Sequence, residues 1–150
     1  MEKCGKIIST IMNKLIIYTD GGARGNPGPA AIGVFFPDLK KEYGDYIGKA
    51  TNNIAEYSAL IFGLKKAKQL IGKEKTKATE IEIRSDSELM VRQLRGEYKL
   101  KEEHIQKLFI EVWNLKTEFK DILFKHIPRE ENVIADKLVN KELDTKQGAL

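Results

Sequence analysis

The apolar positions of this chain change period several times, and each change marks an element. Leu15 to Thr19 (LIIYT) is aliphatic, aromatic and β-branched, as in a buried strand, and Asp20 follows at the strand's C-terminal end. Glycines at 21, 22, 25 and 28 and prolines at 27 and 29 predict a tight loop of bare backbone. The apolar run Ala30 to Phe36 then predicts a second strand, antiparallel to the first, and Glu42 to Lys49 a third. From Asn52 the spacing of Ala55, Ala59, Leu60, Leu64, Ala67 and Ile71 is helical, which predicts about five turns at 3.6 residues each. Thr51, Asn52 and Asn53 supply capping chemistry, and Gly72 marks the end.

A lysine-rich link, Gly72 to Thr79, leads into Glu80 to Ser85, where Ile81 and Ile83 alternate with charged neighbours as in a strand that ends at Asp86. Ser87 to Arg95 predicts a short helix stopped by Gly96, and Glu102 to Leu115 a longer one with Ile105, Leu108, Phe109, Val112 and Trp113 on its core face. Phe119 to Ile127 predicts the last strand, and Glu131 to Leu143 the last helix, with Val133, Ile134, Leu138 and Val139 inward. The order βββαβααβα predicts an α/β fold with a five-stranded mixed sheet flanked by helices. It occupies residues 14–143, between an extension at 1–13 and a polar, frayed tail at 144–150.

Composition narrows the chemistry. The 150 residues, 41% hydrophobic, suffice for one core and not for two. The 26 basic residues exceed the 22 acidic by four, a balance that permits a polyanionic partner without naming one. A single cysteine excludes an intrachain disulfide, and with two histidines it excludes a His/Cys zinc site, so any metal is held by oxygen. No secretory signal or membrane span is read in the sequence, and the expectation is a cytoplasmic monomer without a membrane partner.

Four acids stand where the predicted elements can bring them together: Asp20 and Asp86 at strand ends, Glu56 early in the first long helix and Asp136 early in the last. Each also has a structural reading, Asp86 as a helix cap and Glu56 and Asp136 as partners of a helix dipole. Gathered in one place, four carboxylates repel unless cations intervene. Hard oxygen ligands select Mg²⁺, with Mn²⁺ as substitute. Two such ions about 3.5 to 4 Å apart stabilise both the attacking and the leaving oxygen of a phosphodiester displacement.

The segments YTDGGARGNPGPAAIG (18–33), TNNIAEYSALIFGL (51–64), IRSDSELMV (83–91) and PREENVIADKLV (128–139) together resemble type 1 ribonuclease H. The resemblance implies that Asp20, Glu56, Asp86 and Asp136 bind two Mg²⁺ ions and cleave the RNA strand of an RNA/DNA hybrid, leaving a 5′-phosphate and a 3′-hydroxyl. It further implies that Gly21, Gly22, Asn26, Asn52 and Asn53 line the minor groove, joined by Ser87 and Glu88, and that Thr51 meets a DNA phosphate. Amides and exposed backbone suit a 2′-hydroxyl, which both donates and accepts.

The chain departs from that pattern twice. Where many members carry a histidine on a loop before the last helix, this chain has Arg129, with His126 inside the predicted strand, which resembles a subgroup lacking that histidine. Arg129 is the expected participant, by electrostatics rather than as a base. The region Gly96 to Glu103 lacks the basic protrusion of some relatives; Lys99 and Lys101 remain there as solvated lysines or DNA contacts. The alternatives are a noncatalytic hybrid-binding module and an acid-cluster DNA nuclease on the same fold.

Overall fold

The computed structural model describes residues 13–148, so most of the expected N-terminal extension lies outside the described residues. Strands β1 (Lys14–Ala23), β2 (Gly28–Phe36) and β3 (Lys41–Ala50) form an antiparallel meander. Helix α1 (Asn52–Ile71) and a short helical turn α2 (Lys73–Thr76) lead to β4 (Glu80–Ser85). Helices α3 (Glu88–Leu94) and α4 (Glu103–Lys116) lead to β5 (Asp121–His126), and a 3₁₀ turn (Arg129–Glu131) precedes α5 (Val133–Gly148). The sheet order is β3-β2-β1-β4-β5, with β4 parallel to both β1 and β5, so the expected five-stranded mixed sheet is the one observed.

Alternation along the strands sorts the two faces. Leu15 and Ile17 of β1, Ile81 and Ile83 of β4, and Val34 and Phe36 of β2 are fully buried beneath Leu60 and Leu64 of α1, with Ile105 and Val112 of α4 closing the same core. On the opposite face, α5 covers β2 and β3 through Val139 and Leu143 against Ala31. Gly33 permits this contact, since a Cβ there would lie 2.3 Å from the Ala135 carbonyl oxygen.

Several expectations give way to tertiary packing. Gly21 and Gly22 belong to β1 rather than to a loop, and Asp20 lies within that strand instead of closing it. The link after α1 holds a helical turn, α2. Trp113 is 58% exposed and Val133 is 45% exposed, with Ile134 also outward; Leu115, Ala135 and Leu143 take the core positions assigned to them. The last helix continues to Gly148, into the segment read as a frayed tail, and there Arg24 pairs with Asp144 at 2.6 Å and bonds to Gln147.

Candidate active site

The ends of the parallel strands create the cleft. β4 stops at Ser85, opposite Thr19, while β1 continues for four more residues, so from Asp20 onward β1 has an open edge on that side. Asp20 stands on this edge and Asp86 directly follows β4. Glu56 comes from α1, in its second turn, and is drawn in by the bare backbone of Gly21, against which Ala55 packs. One carboxylate oxygen from each of Asp20, Glu56 and Asp86 lies within 4.8 Å of the others. Asp136, in the first turn of α5, lines the same cleft with Arg129.

The structural readings of the acids fall unevenly. Ser87, not Asp86, caps α3, with its Oγ accepting from the Met90 N–H at 3.2 Å, so Asp86 is left without capping work. Glu56 lies beyond the first turn of α1, where no acid stands. Asp136 does sit in a first turn, and the Arg129 guanidinium is 3.8 Å from its Oδ1.

Crowding and burial act on the charges. Asp20 is 7% exposed and its carboxyl is pushed up to about 8, first by burial and then by the charges of Asp86 and Asp136. Burial and the Asp20 charge raise Glu56 as well. Asp86 is raised by burial, against the opposing effects of the neighbouring Asn132 amide and the Arg129 charge. Glu56 Oε2 is buried with no hydrogen-bond partner. An acceptor left bare among carboxylates, in an all-oxygen donor set, fits a hard divalent cation and not a soft one.

Three comparisons bear on the family. The family model described as Reverse transcriptase-like matches residues 18–142. Ribonuclease HI of Halobacterium salinarum is 40% identical over 131 residues, covering 85% of this chain and 63% of the relative. The solved structure of LC11-RNase H1 in complex with RNA/DNA hybrid is 47% identical, covers 89% of this chain and 99% of that one, and superposes with a TM-score of 0.83. The chain belongs to the type 1 ribonuclease H family. RNase H1 from Halobacterium salinarum matches at a TM-score of 0.80 with 39% identity, covering 88% of this chain and 98% of that one. The bifunctional protein Rv2228c of Mycobacterium tuberculosis is 40% identical over 136 residues, yet the match spans only 36% of that relative's length.

The other positions expected of a ribonuclease H are distributed around the cleft in different ways. Gly21, Gly22 and Asn52 line it. Asn26 Oδ1 accepts from the Asn52 N–H at 2.9 Å, and Asn52 Oδ1 accepts from the Ala23 N–H at 2.9 Å. Their carbonyls are thus engaged within the protein, and the remaining amide NH₂ groups are donors on an exposed edge. Asn53 points to a separate hollow shared with Gln93, Tyr98, Lys99 and Lys101, and its Oδ1 is buried without a partner. Thr51 caps α1 by accepting from the Ile54 N–H at 3.2 Å. Ser87 and Glu88 are not brought into the acid cleft; Glu88 pairs with Arg92 at 2.9 Å along its own helix. His126, the last residue of β5, is exposed and outside the cleft lining.

Three lining or supporting residues were not anticipated. Asn132 is 1% exposed and donates from Nδ2 to the Thr19 carbonyl at 2.9 Å, bracing β1 immediately before Asp20. Its residue type before an apolar run is a cap signal, and its carbonyl does accept the Asp136 N–H. Arg24 and Asn140 also line the cleft, with Asn140 one turn beyond Asp136 on α5. Nothing local in the sequence distinguishes them from surface residues.

Proposed function

We propose that this protein hydrolyses the RNA strand of RNA/DNA hybrids as an endonuclease, leaving 5′-phosphate and 3′-hydroxyl ends. The observation that carries the reading is the close set of Asp20, Glu56 and Asp86 oxygens, one member of which includes a buried, unpartnered acceptor. Asp20, Glu56, Asp86 and Asp136 would hold two divalent cations, Mg²⁺ or Mn²⁺. Bound there, such cations supply positive charge to the scissile phosphate and acidify the attacking water.

The chain's own groups carry the rest. The backbone at Gly21 and Gly22 lets the RNA strand approach closely, and the Asn26 and Asn52 NH₂ groups donate to groove acceptors, the 2′-oxygen among them. Arg129, 81% exposed beside Asp136, offers its guanidinium to a phosphate or to the departing product. The hollow lined by Asn53, Lys99 and Lys101 takes the DNA strand, and Thr51, the N-cap of α1, meets a DNA phosphate. With few lysines there, hybrid binding is weak and salt-sensitive. Residues 14–143 form the catalytic unit, which works as a monomer in the cytoplasm. No helix among the described residues is long and apolar enough to cross a membrane.

The direct experiment incubates the protein with end-labelled RNA/DNA hybrid, duplex DNA and duplex RNA in Mg²⁺. Cleavage confined to the RNA strand of the hybrid is expected, with Asp86→Asn abolishing it while hybrid binding persists. Cutting of duplex DNA at a similar rate, or wild-type turnover by Asp86→Asn, overturns the reading.

A further inference from the structure

Among the described residues, two cations line the acid cleft, Arg129 and Arg24. Arg24 directly follows β1, and its backbone N–H donates to the Pro29 carbonyl at 2.9 Å, which fixes the start of the loop. One face of α5 receives its guanidinium: Nη2 donates to Asp144 Oδ1 at 2.6 Å and approaches Asn140 Oδ1 at 3.5 Å, and Nη1 donates to Gln147. Asn140, Asp144 and Gln147 follow one another at helical spacing, so they continue the stripe that Asp136 begins one turn earlier. The guanidinium is thereby held in the same cleft as the carboxylates, with the side chain 32% exposed.

Fastening the helix is a small part of what this pairing can do. Asp144 is 69% exposed, and an ion pair that open to water contributes little to stability. The Nε of Arg24 makes no hydrogen bond among the described residues, and a guanidinium fork fits a phosphate as well as a carboxylate, so the two anions can exchange on it. Arg129 stands by Asp136 and Arg24 by Asp144, about 12 Å further along α5. One phosphate group cannot meet both guanidinium groups, so Arg24 addresses a different phosphate from the one beside Arg129. Because Arg24 shares the cleft of the acids and not the hollow of Asn53, the strand it meets is the one that is cut.

We propose that Arg24 holds a phosphate of the RNA strand away from the scissile one, and that Asp144 competes with this phosphate for the guanidinium. In the free protein the cation stays on α5; a bound hybrid draws it off, at a cost in affinity that Asp144 sets. The inference rests on the hybrid-nuclease reading for the identity of the strand, but its readout is binding.

Fluorescence anisotropy with a labelled RNA/DNA hybrid tests it, in Mg²⁺ and with every protein carrying Asp86→Asn so that the hybrid stays whole. Arg24→Ala is expected to weaken binding by about tenfold and to lower the slope of log affinity against log salt by about one, with Arg24→Lys restoring part of each. Asp144→Asn is expected to tighten binding by about threefold, and only where Arg24 is present. A neutral methylphosphonate linkage moved along the RNA strand is expected to weaken binding at one position beyond the scissile phosphate, and to have no effect there in Arg24→Ala. If Arg24 merely fastens the helix, Asp144→Asn weakens binding as Arg24→Ala does and no linkage depends on Arg24; either result overturns the proposal, as does an unchanged salt slope. Should Arg24→Ala unfold, Arg24→Gln serves in its place. Loss of wild-type cleavage with these binding differences intact would sink the nuclease reading alone, and cleavage without them would sink this inference alone.

Discussion

Gly21 of β1 and Ala55 of α1 meet backbone to backbone: a Cβ on Gly21 would lie 2.2 Å from both the carbon and the oxygen of the Ala55 carbonyl. This approach brings Glu56 to Asp20, because any side chain at position 21 would hold the helix off the strand. Gly21→Ala must therefore move α1 outward by roughly an ångström or open the start of the helix. Overpacking of this kind costs about 1–3 kcal/mol. Thermal unfolding is expected to fall by roughly 3–10 °C, and cleavage by more than the stability loss explains, because Glu56 is displaced. A variant with wild-type turnover would show that the contact is not needed to place the acids.

The acid cluster has a pH signature. Asp20 holds its proton up to about 8 in the folded protein, whereas in an unfolded chain an aspartate ionises near 4. Between those values the folded state binds more protons than the unfolded state, so metal-free stability falls as pH rises through that window. Calorimetry in EDTA is expected to record a declining melting temperature from pH 5 to pH 8, and a smaller decline for Asp20→Asn. With saturating Mg²⁺ the trend reverses, because deprotonated carboxylates are the ligands. Asp20→Asn is also expected to melt higher than wild type in EDTA at pH 8 and to gain little from added Mg²⁺.

Asn132 ties the last loop to β1 through its bond to the Thr19 carbonyl. Asn132→Ala leaves that buried carbonyl without this donor, at a cost of about 1–3 kcal/mol. Denaturant titration is expected to show a loss of that order. Cleavage should drop further than for a surface control, because the amide also steadies Asp86 as an anion.

Arg129 separates binding from folding. Its side chain is 81% exposed and its pairing with Asp136 is long, at 3.8 Å, so truncation has little effect on stability. Arg129→Ala is expected to lower kcat/KM on hybrid by about tenfold while leaving the melting temperature unchanged, with Arg129→Lys partly restoring it. His126→Ala, outside the cleft lining, is expected to have the smaller effect. The reverse ranking would reassign the assisting group to His126.

The sequence by itself determined the element order, the mixed sheet and the four acids to watch, because these are written in local periods and in residue types at strand and helix ends. Glu80–Ser85 and the start of α1 at Asn52 were legible to the residue, since alternation and capping are properties of adjacent positions. Tertiary packing alone decided which glycines are strand and which are turn: Gly21 is bare because a helix lies on it, a fact carried by Ala55 far along the chain. It also decided that Trp113 and Val133 face outward. The apolar faces of α4 and α5 are set by which side each helix turns to the sheet, and hydrophobicity alone does not distinguish adjacent stripes. The convergence of Asp20, Glu56 and Asp86, the bracing by Asn132 and the span from Arg24 to Asp144 likewise join residues distant in sequence. Interactions of that range come into being only when the chain closes on itself.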